Sequence, residues 1–358
     1  MAVVPRKGHD FAGTGIHPHA GGFPFAIGQK RPQRVKGAYR MKTGFEIFLI
    51  AAEELSISRA AQKAFVTQQC VSDHIKRLEK EYGVELFERK PKFRLTPAGE
   101  IMRHSLWNIQ IMEKSMSSSL EDIARGERGK FTLGISTSRA PIIMPGVLSR
   151  YYQMFPNVNI SFCVEDTPIL EERLLRGDID LFIGINTDPH QDFYVEVLAP
   201  DEIMLIISSG LLHRFFEPAE IKRMATAGVD MTRFTNIPFT LSFKTGKVNR
   251  VIQEYLNYYN LQLNVVYNIS DSETQIMLCA AGICASLCPR MLLSSAHRHN
   301  LTCEEPDKLY MLPIKNLDRR LHIDLVSHRN VVQPLYIREF MQILREEVGK
   351  IACESFDR

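Results

Sequence analysis

The stretch AAQKAFVTQQCVSDHIKRLE, Ala60 to Glu79, sets a small-residue patch, a break and an amphipathic run side by side. Ala60, Ala61 and Ala64 are small enough to let another helix approach closely, and Phe65 and Val66 mark a turn. Thr67 then offers a hydroxyl to an otherwise unpaired first-turn amide. Beyond it Val71, Ile75, Leu78 and Tyr82 recur at helical spacing, so one face is apolar, while Gln68, Gln69, Ser72, Asp73 and Lys76 project the other way. Gly83 ends the helix. Two packed helices would explain this pattern, and so would a device that reaches into a groove of DNA; the flanking sequence decides.

Upstream, Phe45, Phe48, Leu49 and Ala52 form the apolar face of a helix that breaks near Leu55, and Ser56 and Ser58 are N-cap candidates for the Ala-rich helix. Downstream, ELFERKPKFRLT (Glu85 to Thr96) holds two short extended pieces around a basic tip at Lys90 to Lys92, which has the form of a wing. Thr96 followed by Pro97 starts a helix, because proline gives up an amide that had no partner there. That helix should run to about Ala124. Met102, Leu106, Ile109, Met116, Leu120 and Ile123, interrupted only by Glu113, follow a heptad seam suited to a partner helix, and at 1.5 Å per residue it is roughly 40 Å long.

After the linker RGERGK (Arg125 to Lys130) the pattern becomes alternating strands and helices. FTLGIS, NISFCV and IDLFIG read as strands around helices at Pro141 to Phe155 and Pro168 to Arg176, a βαβαβ unit with a parallel sheet. A second unit between about 204 and 304 has the strands FTLSF, NVVYNI and ICASLC around helices at Lys247 to Asn260 and Ser272 to Ala281. LHIDLVSH and the helix from Pro334 to Val348 have no sheet of their own and should return to the first unit. Two such lobes joined by crossing strands leave a cleft where ligands of open sheets bind.

The division expected is therefore residues 1–40 as a disordered leader or extension, 41–96 as a winged helix-turn-helix, 97–124 as a linker and dimerisation helix, 125–130 as a hinge, and 131–353 as a two-lobed α/β domain. Its first lobe should take about 131–203 and 305–353 and its second about 204–304. The 358 residues, 45% apolar and 24% charged, are enough for two or three domains. The net charge of +3 is small, but seven basic residues against Asp10 put +6 on the first 40 residues, whose Gly and Pro content shows no sustained period. His17 and His19 in that segment are weak evidence for a metal. Seven cysteines make no paired framework and fit a reducing cytoplasm, and no apolar run has the length of a membrane span or a signal core.

A helix exposing Gln68, Gln69 and Ser72 at its N-terminal end suits the major groove, where glutamine can pair with adenine N6 and N7. Lys76, Arg77, Arg89, Lys90, Lys92 and Arg94 would meet phosphates. With a basic wing and a pairing helix beside it, the helix pair is better explained as a DNA reader than as a core motif. Ser56 to Glu100 resembles the LysR-type transcriptional regulators, and weaker echoes in GDIDLFIGI and AAGICASLCP extend the resemblance across nearly all of Met41 to Val348.

The resemblance implies an N-terminal winged helix-turn-helix, a linker helix that pairs two subunits, and a C-terminal effector domain of two Rossmann-like lobes built like a bacterial solute-binding protein. It also implies homodimers or homotetramers on a double-stranded operator, a small-molecule effector, and contact with RNA polymerase if the protein is an activator. Carried over by position, Gln68 and Ser72 match the DNA face of the recognition helix and Arg89 the wing arginine. The full candidate set is Arg59, Gln68, Gln69, Ser72, Asp73, His74, Lys76, Arg77, Arg89, Lys90 and Lys92. This chain departs from the pattern at Gln69 and Cys70, where Pro-Ala is usual, at Pro91 to Phe93 in the wing, and at Asp73, where a basic residue is common. An acidic Asp73 near phosphate costs affinity unless it accepts from cytosine N4 or pairs with Lys76 or Arg77.

For the effector, the family pattern points to Ser136, Thr137, Ser138, Thr167, Ser242 and Lys244, after the first strand and at neighbouring helix starts. Hydroxyls and free amides there favour a carboxylate or another small anion, although each hydroxyl could equally be a helix cap. Cys279, Cys284 and Cys288 raise a redox sensor, but apolar flanks favour buried packing. A pure solute-binding protein needs neither the helix-wing-helix nor a chain without an export signal. No P-loop, GxGxxG, GxSxG or HExxH arrangement marks an enzyme, and neither a cofactor nor a metal is expected.

Overall fold

The computed structural model describes residues 43–125, 129–242, 246–317 and 321–353, with side chains 118, 119 and 121–125 left out; all of these lie in one compact unit, Met41–Arg358. The basic leader expected over residues 1–40 falls outside the described residues.

Three helices open it: α1 (Thr43–Glu54), α2 (Ile57–Ala64) and α3 (Gln68–Tyr82). Ser56 Oγ accepts from Arg59 N at 3.4 Å and Thr67 Oγ1 from Cys70 N at 3.2 Å, so of the cap candidates Ser56 and Thr67 serve, whereas Ser58 lies inside α2. Phe65, 95% exposed, closes α2 in the left-handed region at φ 56°, and Gly83 closes α3 at φ 70°. Ala60 and Ala61 are buried, which lets α2 lie close to its neighbours, and Val71, Ile75 and Leu78 turn inward onto Phe48 and Ala52. The wing is the antiparallel pair β1 (Phe87–Glu88) and β2 (Arg94–Leu95). Phe93 stacks on Phe87 at 4.5 Å, which pins the wing to this core.

The long helix α4 (Pro97–Arg125) follows. Its heptad seam divides in a way the periodicity does not reveal. Leu106 and Trp107 are buried in the core of the first three helices, whereas Ile109, Met112, Met116 and Leu120 are 40 to 58% exposed. The seam was expected to serve a partner helix along its whole length, yet its first turns have a partner within the chain. Ile123 lies among the side chains not described.

The remainder alternates: β3 (Gly129–Ile135), α5 (Ala140–Met154), β4 (Val158–Val164), α6 (Thr167–Arg176), β5 (Leu181–Ile185), β6 (Phe193–Asp201), β7 (Ile203–Ser208), α7 (Ser209–Leu212), α8 (Pro218–Ala227), β8 (Pro238–Leu241), α9 (Lys247–Tyr258), β9 (Asn264–Asn268), α10 (Ser272–Ala280), β10 (Ala285–Pro289), α11 (Ser294–Thr302), β11 (Leu309–Pro313), β12 (Leu321–His328) and α12 (Leu335–Cys353). Two five-stranded sheets result, β4-β3-β5-β12-β6 and β11-β7-β10-β8-β9. In each, three strands joined through helices run parallel, as the alternating pattern requires, but the sheets are mixed. β12 runs antiparallel to β5 and β6, and β7 antiparallel to β10 and β11. The chain passes from the first sheet to the second at Glu202, and β12 returns it, as expected for a strand with no sheet of its own.

Tyr151, Phe131 and Phe340 meet edge to face between α5, β3 and α12, and burial pushes the Tyr151 phenol up while its hydroxyl donates to Tyr336 O at 3.0 Å. On the other face of this sheet α4 is fastened. Lys114 Nζ lies 2.8 Å from Asp180, His104 Nε2 3.0 Å from Asp192, and His328 Nε2 donates to Asn108 Oδ1 at 3.0 Å. Gly177, at φ +76°, lets Ile111 come close; a Cβ there would sit 2.7 Å from its Cγ1.

Candidate functional site

Two features carry chemistry: the outward face of α3 with the wing, and a cleft between the sheets. Because Val71, Ile75 and Leu78 are turned inward, Gln68, Gln69, Asp73, Lys76 and Arg77 are necessarily exposed, and Ser72 and His74 are half-buried at the margins. Gln69 Nε2 donates to Asp73 Oδ1 at 2.9 Å, one turn along, and Gln68 Nε2 reaches Ser58 Oγ at 3.4 Å. Lys76 and Arg77 make no ion pair among the described residues. Arg59 lies on α2 instead, with Nε 3.3 Å from Glu54.

The wing hangs on one carboxylate that the sequence did not single out. Glu79 Oε1 accepts from Leu86 N at 3.0 Å and Phe87 N at 3.4 Å, while Oε2 lies 3.0 Å from Arg89. Arg89, expected to meet phosphate, is thus held against the end of α3, and Lys90 and Lys92 form the free, exposed tip. Its signal was Glu79 at the margin of the apolar stripe, four residues before the turn it ties.

The cleft encloses about 850 Å³, part of it open to solvent, and four helices begin at its walls. Arg139 precedes α5, Asp166 and Thr167 open α6, Gly246 and Lys247 open α9, and Ser272 opens α10. Helix N-termini expose amides without an intrahelical partner and a partial positive charge, although Asp271 already accepts from Thr274 N at the start of α10 at 2.8 Å. Of the expected residues, Ser136, Ser138, Thr167 and Ser242 line it. Thr137 does not line it and is exposed, and Lys244 lies outside the described residues. Thr167 Oγ1 accepts from Ile185 N at 3.1 Å, so its hydroxyl already has a structural task.

Two buried cations were missed. Arg139, 3% exposed, lies 3.3 Å from Asp201, and its Nε has no protein partner. Burial works against its charge and Asp201 supports it. Lys247, 6% exposed, brings Nζ to 2.6 Å from Asp188 and 3.3 Å from Glu171. The hydrogen bond from Lys247 holds the Asp188 carboxyl below the usual carboxylate range. Lys247 belongs to the second lobe and its two carboxylates to the first, so this is a bridge between lobes. A cation in the first turn of a helix opposes the helix dipole, and that mismatch was the available signal for Lys247 just after Gly246. Gln275 completes the floor: its side chain donates to Ile269 O and accepts from Ser286 Oγ at 2.8 Å.

Cys279, Cys284 and Cys288 are all buried. A hydrogen bond with Cys284 and burial push the Cys279 thiol up, and burial takes Cys288 up to about 12, so neither is a ready thiolate.

A capped helix pair with an outward polar face and a wing, joined to a two-lobed body with a cleft between its sheets, defines a ligand-responsive DNA-binding regulator. Comparison with known proteins agrees. Residues 43–100 match the bacterial regulatory helix-turn-helix protein, lysR family, and residues 124–349 match the LysR substrate binding domain. The chain belongs to the LysR family of DNA-binding transcriptional regulators, which are not enzymes. It is 29% identical over 223 residues, 61% of this chain and 69% of the other, to a probable RuBisCO transcriptional regulator of Thalassiosira pseudonana. A probable nitrogen assimilation transcriptional activator of Synechococcus elongatus is 24% identical over 312 residues, 86% of this chain and 94% of the other. The crystal structure of HinK, a LysR family transcriptional regulator from Pseudomonas aeruginosa, shares the fold at TM-score 0.51 and 20% identity, covering 86% of this chain and 98% of that one. No helix among the described residues is long and apolar enough to cross a membrane.

Proposed function

We propose that α3 enters the major groove of a double-stranded operator with Gln68, Gln69, Ser72 and Asp73 toward the bases, while Lys76, Arg77, Lys90 and Lys92 meet phosphates and Arg59 and His74 flank the contact. The observation that carries this reading is the exposure of Gln68, Gln69, Asp73, Lys76 and Arg77 on a capped helix whose Val71, Ile75 and Leu78 are buried on the other side, Tyr82 at its end staying exposed. Two copies pair through the uncovered part of α4, Ile109, Met112, Met116 and Leu120, giving a homodimer or a homotetramer. The division into residues 41–96, 97–124 and 131–353 serves these three tasks.

The effector is a small anion, a carboxylate in the first instance, held in the cleft by Ser136, Ser138, Ser242, Arg139 and Lys247 among the helix N-termini. Binding there shifts one lobe against the other and so changes the spacing of the paired recognition helices; coupling requires that ligand favour one arrangement. The protein works in the cytoplasm, and contacts RNA polymerase where it activates.

A gel-shift titration against random-sequence duplex tests the first part: Gln68→Ala should weaken the specific complex with the fold intact. Undiminished sequence preference in that variant refutes the role given to α3. Thermal-shift screening against small carboxylates and amino acids tests the second, with stabilisation expected from acids and absent from neutral amides of the same shape.

A further inference from the structure

On the face of α3 that the proposed function turns toward DNA, Asp73 is the anomaly, because a carboxylate placed among phosphates lowers affinity unless something in the groove repays it. Two explanations within the chain are available, and the side-chain geometry disfavours both. Lys76 and Arg77 lie three and four residues on, within reach of an intrahelical ion pair, yet neither pairs with Asp73. The carboxylate is engaged at one oxygen only, Oδ1, by Gln69 Nε2 at 2.9 Å. Its second oxygen has no partner among the described residues and the side chain is exposed. Gln69 therefore holds the carboxylate on the exposed face at one oxygen and leaves the other acceptor free for a partner outside the described residues.

The major-groove edges of the four bases offer only two donors, the amino groups N4 of cytosine and N6 of adenine; guanine N7 and O6, adenine N7 and thymine O4 are acceptors and repel a carboxylate. Adenine N6 sits beside its own N7 acceptor and is best read by an amide, which donates to one and accepts from the other. A carboxylate has no donor for N7. Cytosine N4 has no acceptor beside it on its own ring.

We infer that Asp73, oriented by Gln69, is a specificity-determining residue that accepts a hydrogen bond from the N4 amino group of a cytosine in each operator half-site. The inference rests on the reading of α3 as the DNA-contacting helix. Gln69 is a positioning residue in this arrangement, and the cost of Asp73 to general phosphate attraction is offset only where that cytosine is present. A wrong base at this position should cost about tenfold in affinity per half-site.

The test is selection of bound sequences from a random duplex pool by the full chain, run in parallel with Asp73→Ala, Asp73→Asn, Gln69→Ala and Gln68→Ala. All three positions are solvent-exposed, so each of the four variants should fold, which its thermal transition verifies. The wild type should enrich a symmetric motif with a cytosine at one fixed position in each half. Asp73→Ala should lose that cytosine alone, keep the rest of the motif, and bind unselected duplex a few-fold more tightly through loss of like charge. Asp73→Asn should move the preference at that position toward adenine, and Gln69→Ala should weaken the cytosine preference without abolishing binding. If Asp73→Ala keeps the cytosine and gains affinity uniformly, Asp73 is only an electrostatic brake and the inference is wrong. If Gln68→Ala leaves the whole motif unchanged, the reading of α3 itself fails and takes this one with it.

Discussion

Replacing Lys247 by methionine keeps most of the side-chain volume and removes the charge that joins the lobes. Its side chain is 4% exposed, Glu171 is 16% and Asp188 61%, so the three partners pay unequal penalties when the bridge is cut. Removing one member of a buried ion pair costs about 3–5 kcal/mol because the other is left unpaired. Asp188 is already wet and would rehydrate, which leaves Glu171 as the main unpaired charge and lowers the expected loss to about 2 kcal/mol. For a chain of this size that corresponds to a fall of about 3 °C in Tm. Denaturant unfolding of Lys247→Met, Glu171→Gln and the double variant should give a coupling of about 1–2 kcal/mol between them, whereas Asp188→Asn alone should cost under about 1 kcal/mol. The loss should persist in high salt, because buried pairs are poorly screened. A Lys247→Met protein within about 0.5 kcal/mol of wild type, with no coupling to Glu171, would refute the bridge between the lobes.

Phe65→Asn should stabilise the protein by about 0.5–1 kcal/mol in denaturant unfolding, because Phe65 stands in the left-handed region at φ 56° with its ring exposed and asparagine tolerates that conformation. Met116→Glu puts a charge in the uncovered seam of α4 and should shift the species seen by light scattering toward monomer while far-UV dichroism stays unchanged. Glu79→Ala frees Arg89 and unties the wing from α3 and should weaken binding to all duplexes alike, whereas Lys90→Ala, at the free tip, should also reduce the salt slope by about 1. Burial lowers the pKa of His328 below its ordinary 6.5, with Asp192 opposing and His104 and His190 adding to the effect. Its neutral form is favoured by folding, so the unfolded chain binds the extra proton first: stability is full above pH 6.5 and falls as pH drops below it. The acid-side loss should shrink in His328→Gln, and an equal pH dependence in that variant would exclude His328 as its source.

The local pieces of this protein were legible in its residues because short-range physics makes them. Ser56 and Thr67 cap their helices, Gly83 and Pro97 stop and start them, and the inward face of α3 follows from the spacing of Val71, Ile75 and Leu78. The return of Leu321 to His328 to the first sheet was legible too, since an apolar strand with no neighbour in sequence must find one in space. Leu106 and Ile109 obey the same heptad, yet one is buried within its own subunit and the other is uncovered; no period distinguishes them, because burial depends on what the rest of the chain lays over each turn. Hydroxyls after a strand advertised the cleft, while Arg139 and Lys247, its buried cations, looked like ordinary surface charges. Their partners stand 62 residues away at Asp201 and on the opposite lobe at Glu171 and Asp188. Capping and periodicity act within a few residues along the chain, whereas desolvation and pairing of charge act through space, and only the folded arrangement decides them.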